Sequence, residues 1–407
     1  MSAYRSSVGL GRAAAAAVLV VATSLAGCDS GDGSPAAANP TTASTVATTV
    51  SSAPIWARPG SATLPSADAL QAALDAWIAA GHLEGVTAAV VTLDGVWSGA
   101  SGVDAVGTAL AADSALSIMS VSKTYTAAEV MLLSARGQLD LDAPVSTYVD
   151  LSFDTKGATV RQLLAMRSGF PTTDIGTDAT RLAANLGRTW TESEWLAAIP
   201  ADAPRLGDLG GVPRYNSVNY GVLAEVIEKV TGMPFAAALR ADLLGPAGLD
   251  RTWVQPGETP TAPLTVGGAT PHASIVDPTS AVMPSVAFAS VAVGGGSMAA
   301  DAADTAMWGY LLYGGHVIDS SLVREMEANP QSNPDTLDYA LGTTVLSLGA
   351  DTLVGHDGGG VDLPYTSTMH VYIGDEPVAI AVITPEAADH GAQIFDLFVR
   401  LHDLATS

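Results

Sequence analysis

Ser120-Val121-Ser122-Lys123 opens a stretch that continues Thr124-Tyr125-Thr126-Ala127-Ala128-Glu129-Val130-Met131-Leu132-Leu133. The segment is apolar almost all round, which predicts a buried helix. Gly137, following Arg136, supplies its stop. Ser120 falls in the first turn and Lys123 one turn later, and residues at i and i+3 share a helix face. A hydroxyl and an amine so placed can touch. The free N–H groups and positive potential of a helix start favour an oxyanion beside Ser120. On this tetrapeptide alone a plainer reading stays open, with Ser120 as the helix cap and Lys123 as a snorkelling cation. The chain has only three lysines (Lys123, Lys156, Lys229), which makes chance placement of one here less common. A lysine at the start of a buried helix costs free energy unless it is paired or deprotonated.

The chain has 407 residues, enough for one large domain or two, and 48% of them are hydrophobic, so its bulk is globular. The formal net charge is −24 and there is no basic stripe. Nucleic acid is therefore excluded as a partner, as is direct attraction to an anionic membrane surface. Cys28 is the only cysteine, so neither an intrachain disulfide nor a cysteine metal cage can form. The seven histidines are scattered, with no His-Glu-x-x-His pair, and no metal site is expected.

Arg5 and Arg12 precede an apolar run at 13–25 that is short for a membrane span. It ends in Leu25-Ala26-Gly27-Cys28, which resembles the bacterial lipoprotein cleavage box, in which the cysteine becomes lipid-modified and the new N-terminus. That resemblance implies a leader at 1–28 and a lipid anchor on Cys28 holding the protein at the outer face of the cell membrane. A plain secretory signal is the alternative. Residues 29–59 are rich in Ser, Thr, Ala and Pro and read as a disordered tether. Residues 60–407 remain as the folded domain.

Within it, Leu70, Leu74, Trp77 and Ile78 mark an amphipathic helix closed by Gly81. Residues 86–93 and 95–100 read as strands joined at Asp94-Gly95. A short helix at 160–166, loosely connected helices over 174–209, and a helical face of Leu223, Val226, Ile227 and Val230 follow. The irregular stretch 253–284 is expected to wall a pocket. Strands are expected at 344–348, 352–354, 366–372 and 378–384, then a last helix through Ile394, Leu397, Phe398 and Leu401. Strands at both ends of the globular part around a helical middle predict an α+β fold. One antiparallel sheet is built from both termini, flanked by helices, with a mostly helical lobe inserted.

Two further motifs complete the pattern, Tyr215-Asn216-Ser217 and His356-Asp357-Gly358-Gly359. Ser-x-x-Lys on a helix, a Tyr-x motif on a loop, then a basic residue-x-Gly on a strand resembles the penicillin-recognising serine hydrolases, on the DD-peptidase, class C β-lactamase and esterase branch. The likeness extends over about 66–401, including Gly137-Gln138-Leu139-Asp140-Leu141-Asp142 and Leu163-Leu164-Ala165-Met166-Arg167-Ser168-Gly169. It implies Ser120 as nucleophile, with Lys123 as base if desolvation lowers its pKa. It places Tyr215 beside Ser120 as proton relay, given positive charge that favours its phenolate. The backbone N–H groups of Ser120 and Gly359 become oxyanion donors. His356 lines the cleft and shapes its electrostatics. No cofactor is required. An α/β-hydrolase reading fails, because the glycine-rich His356 motif trails near the chain end and no intact Gly-x-Ser-x-Gly exists.

The motifs depart from the family in two places. Ser217 stands where the second motif usually ends in Asn, with Asn216 one residue earlier; Asn216 would substitute only if the loop were rotated. Asp357 holds the middle of the third motif, where relatives acting on carboxylate substrates tend to have Thr or Ser. An acid there repels a carboxylate, and a distant Arg251 would have to fold in to offset it. The expected activity is therefore esterase or amidase action on a neutral or cationic substrate of the cell envelope, with Asn216, Ser217, His356 and Asp357 contacting it. D-alanyl-D-alanine carboxypeptidase or β-lactamase action, and a non-catalytic envelope-binding lipoprotein, are the alternatives.

Overall fold

The computed structural model describes residues 53–407 apart from positions 174, 263, 335 and 361. The expected leader, Cys28 and the tether as far as residue 52 lie outside the described residues. In chain order, β1 (Ala62–Thr63) leads into α1 (Ala67–Ala79), and the expected hairpin forms as β2 (Gly85–Val91) and β3 (Gly95–Gly102). β4 (Leu116–Ser117) and a 3-10 turn at Met119–Val121 run into α2 (Ser122–Ala135). The lobe supplies α3 (Val160–Leu164), α4 (Ile175–Ala183), α5 (Glu192–Ala197) and α6 (Val218–Thr231). β5 (Thr252–Val254), β6 (Met298–Ala300) and α7 (Ala302–Tyr313) bring the chain back to the sheet. The end is β7 (Asp338–Tyr339), β8 (Thr344–Leu348), β9 (Asp351–Gly359), β10 (Thr366–Ile373), β11 (Val378–Thr384) and α8 (Phe395–Ala405).

The main sheet has the order β1-β3-β2-β11-β10-β9-β8-β7. It is antiparallel throughout except where β1 meets β3. Its two halves meet at β2 and β11, where Ala89 pairs with Ala381. Both of these strands are buried along their whole length. That explains why neither alternates: with both faces covered, every position is apolar or small. α1 and α8 cover one face, with Leu70, Leu74, Phe398 and Leu401 in the contact. α2, α7 and the lobe cover the other. This is the expected α+β architecture.

Three local expectations are corrected. The third motif lies inside a strand, since β9 runs through to Gly359 rather than stopping at 354. The stretch 253–284 does not wall the main cleft, and its Pro256 borders a smaller cavity. The folded part also starts before residue 60. Trp56 is buried, its Nε1–H donates to Tyr310 O at 3.2 Å, and Tyr310 Oη–H donates to Ala57 O at 3.1 Å. A segment read as tether on composition is thus docked on the end of α7 by Trp56, by the Tyr310 hydroxyl and by a backbone bond from Ile55 N–H to Gly314 O at 2.8 Å.

Trp56→Ala removes that anchor and is expected to cost about 3 kcal/mol of stability, measured by urea denaturation. A loss under about 0.5 kcal/mol would mean that the docking contributes nothing.

Candidate active site

The helix predicted from Ser120 forms, but its first turn is tighter than an α-helix. Met119 sits at φ 47°, a left-handed conformation that a non-glycine residue seldom takes. Such a residue costs on the order of 1 kcal/mol or more and persists only where its surroundings hold it. Here they do. Ser122 Oγ–H donates to Met119 O at 2.6 Å and accepts from Met298 N–H at 3.2 Å. Ile118 N–H donates to Met298 O at 3.0 Å, and Ser367 Oγ–H donates to Ile118 O at 2.8 Å. The far end of α2 closes on Gly137 at φ 70°, with Gln138 N–H reaching back to Leu133 O at 3.0 Å.

The turn holds Ser120 Oγ 2.9 Å from Lys123 Nζ. Ser120 makes no side-chain cap on the helix, so the reading of Ser120 as a plain cap falls. Lys123 is fully buried. Its other contacts are Gly295 O at 2.5 Å and the rings of Tyr215 and Tyr220, 5.0 and 5.5 Å away. No salt bridge to a carboxylate forms on it among the described residues. Burial lowers its pKa to about 7, because no carboxylate offsets the desolvation of the ammonium. The Gly295 carbonyl was not foreseen as part of the site; its only sequence trace was the Gly294-Gly295-Gly296 run.

Tyr215 is hydrogen-bonded to Ser120, as expected, but its protonation is not as expected. Desolvation first, and the nearby Asp357 second, push its phenol well above the usual tyrosine range. The hydroxyl stays protonated, since Lys123 is too readily neutralised to hold a phenolate. Behind it, Tyr339 Oη lies 3.1 Å from His356 Nε2, and His356 Nδ1–H donates to Asp357 O at 2.5 Å. Burial, then the Lys123 charge, lowers the His356 pKa to about 3. His356 therefore lines the cleft as a neutral ring.

Asn216 is corrected. Its Nδ2–H₂ donates to Phe170 O and Pro171 O, both at 3.1 Å, and its Oδ1 accepts from Val218 N–H at 3.1 Å. Buried this way, it pins the loop to the lobe and does not face the cleft. Ser217 does, exposed at the start of α6. Gly359, at φ 74°, also lines the cleft. Its neighbour Gly358 shows how close β9 comes: a Cβ there would stand 2.4 Å from Ile118 O and 2.9 Å from Ser120 N. Only glycine lets the strand lie against the turn.

These groups border a cleft of about 650 Å³. Asp178, Glu192, Asp357, Asp362 and Asp389 line it, and its described lining includes neither Lys nor Arg. Arg251 does not reach it, being paired with Asp301 and lying 3.5 Å from Asp113. Asp357 Oδ1 accepts from Thr368 Oγ1 at 2.7 Å and lies 3.7 Å from His370 Nδ1. Burial raises the Asp357 pKa, but His370, His390, the Thr368 hydrogen bond and His356 together outweigh it, so the carboxyl sits below its ordinary value. No group of acidic, His or Cys side chains among the described residues is arranged to hold a metal.

The beta-lactamase family model matches residues 67–398. Penicillin-binding protein 4 of Amycolatopsis lactamdurans is 31% identical over 188 residues, 44% of this chain and 46% of that protein. Penicillin-binding protein 4* of Bacillus subtilis (strain 168) is 29% identical over 150 residues, 36% of this chain and 32% of that protein. The matches thus span less than half the length of these relatives. Among solved structures, a D-stereospecific amidohydrolase from Streptomyces sp. is 25% identical, with 83% of this chain and 98% of that one covered at TM-score 0.66. A D-amino acid amidase from Ochrobactrum anthropi SV3 is 23% identical, with 84% and 98% covered at TM-score 0.70, and shares the fold.

The depressed Lys123 pKa has a stability consequence. Unfolded, the amine titrates near 10.5; folded, near 7. Between these values the unfolded chain binds the extra proton, so this contribution to stability rises with pH across the window and is lost as pH falls through about 7. Lys123→Met abolishes it. The variant is expected to melt above wild type at pH near 7, with the gap closing toward pH near 10. A gap independent of pH would mean that Lys123 keeps an ordinary pKa.

Proposed function

The chain belongs to the beta-lactamase family, and from that premise we propose a serine acyl-hydrolase that works through an acyl-enzyme on Ser120. The observation that carries this is the 2.9 Å contact between Ser120 Oγ and a buried Lys123 amine whose pKa is lowered to about 7. Unprotonated Lys123 takes the Oγ proton as the oxygen bonds to the substrate carbonyl carbon. The carbonyl pair moves onto oxygen and meets the N–H groups of Ser120 and Gly359. On collapse, the leaving group departs with a proton that Lys123 returns through the neutral phenol of Tyr215. Water then attacks the ester as Lys123 takes its proton, and on collapse Ser120 Oγ leaves, taking that proton back from Lys123, so that the acid product and the starting enzyme are released.

The substrate is an ester or amide without a carboxylate next to the scissile bond. The acid-lined cleft and the sequestered Arg251 support this over β-lactam or D-alanyl-D-alanine chemistry. Likeness to an amidohydrolase supports an amide. The leader and Cys28 support an envelope location, with the domain tethered at the outer face of the membrane.

Wild type is expected to take up a fluorophosphonate covalently and to hydrolyse a short-chain nitrophenyl ester. Ser120→Ala should lose the label and about a thousandfold or more of turnover. Because the active form carries neutral Lys123, kcat/KM should fall about tenfold per pH unit below about 7. Equal labelling of both proteins would sink the mechanism. Turnover of a chromogenic cephalosporin would restore the β-lactamase or peptidase reading, and binding of envelope fragments without labelling would favour a non-catalytic role. Separately, Cys28→Ala is expected to move the protein from the membrane pellet to the soluble fraction of cells; an unchanged distribution would remove the anchor.

A further inference from the structure

Resting on the hydrolase reading above, we propose that Asp357 is the anchor for a substrate ammonium, so that the enzyme acts on amides or esters of amino compounds whose cationic nitrogen lies close to the scissile carbonyl. The carboxylate lines the cleft with its side chain 22% exposed. The Thr368 hydroxyl has one hydrogen, which it gives to Asp357 Oδ1 at 2.7 Å. It therefore accepts from His370 Nδ1–H, 3.0 Å away, while His370 Nε2 lies 3.1 Å from Thr344 Oγ1. This chain of β8 and β10 side chains fixes Oδ1 and the plane of the carboxylate. Among the described residues, Oδ2 takes no hydrogen bond, and no Lys or Arg shares the cleft wall with it. A largely buried carboxylate bordering a cavity is best satisfied by a charged donor, because charge-assisted hydrogen bonds are about twice as strong as neutral ones.

Position ties this oxygen to the reaction. Asp357 is close enough to raise the Tyr215 phenol. The next residue along β9 is Gly358, whose missing side chain lets the strand touch Ser120 N. Asp357 and Ser120 border one cleft, so an ammonium held by the carboxylate belongs to the same bound molecule as the carbonyl that Ser120 attacks. Of the other cleft acids, Glu192 is held neutral by burial and Asp178 is paired with Arg181, which leaves Asp362 and Asp389 to add attraction of the same sign; a substrate carboxylate would meet repulsion at this point.

The test compares three nitroanilides of one amino acid, with the amine free, N-acetylated or N-succinylated. Wild type should prefer the free amine over the acetyl compound, and the acetyl over the succinyl compound. The same order should appear when the three compounds protect Ser120 from the fluorophosphonate, a readout that needs no turnover. Asp357→Asn should reduce the free-amine to acetyl ratio about tenfold or more, and Asp357→Glu should retain a preference for the amine. Should the Asn variant fail to fold by thermal melting, the wild-type order alone decides. A labelled enzyme with a flat or reversed order overturns this proposal and leaves the hydrolase reading standing. A ratio unchanged in a folded Asp357→Asn also overturns it. An enzyme that neither labels nor turns over any of the three overturns both.

Discussion

A lysine amine with no carboxylate to balance it lies at the centre of this molecule, and much of the site depends on how that amine is held. A buried ammonium would cost several kcal/mol, and here the cost falls on the charged form, so Lys123 becomes a base near neutrality. The helix that carries it packs on nearly all sides. The sheet, α7 and the lobe each remove water from one side of it. Replacing Gly295 O by an acid would supply a counter-charge and restore an ordinary, unreactive lysine. The carbonyl gives a hydrogen bond without that charge.

Close backbone approach is the second condition, and glycine meets it. β9 can lie against the Ser120 turn only because Gly358 has no Cβ. The turn itself is held in a left-handed residue, Met119, by hydrogen bonds from β6 and β10. Strain and contact are supplied by strands far apart in the chain, so the geometry at Ser120 is a property of the assembled sheet. The same assembly keeps Tyr215 a phenol and His356 a neutral ring. Lys123 is then the one group of the three that titrates near neutral pH.

The periodic elements were readable from the chain, and so was the order of the motifs. α1 and α8 each carry an apolar stripe because one face meets the core, whereas α6 is buried all round over 218–224. β2 and β11 were readable as strands because apolar and β-branched residues fill them. β9 was read too short because its second half, Gly-His-Asp-Gly-Gly, has little strand propensity; pairing to β10 overrides that. β4 and β6 carry no alternation to detect, being only two and three residues long.

What the sequence by itself determined is the set of reactive groups, their order and the acidic balance of the chain, since these depend on composition and short spacing. Ser120 and Lys123 meet because one helical turn separates them. Only the tertiary structure decided which way Asn216 faces, that Arg251 is spent on Asp301, and that His370 and Thr368 stand behind Asp357. It also decided the protonation of Tyr215 and His356. Burial and long-range pairing are set by side chains from distant segments, and no local pattern in the sequence encodes which of those segments meet.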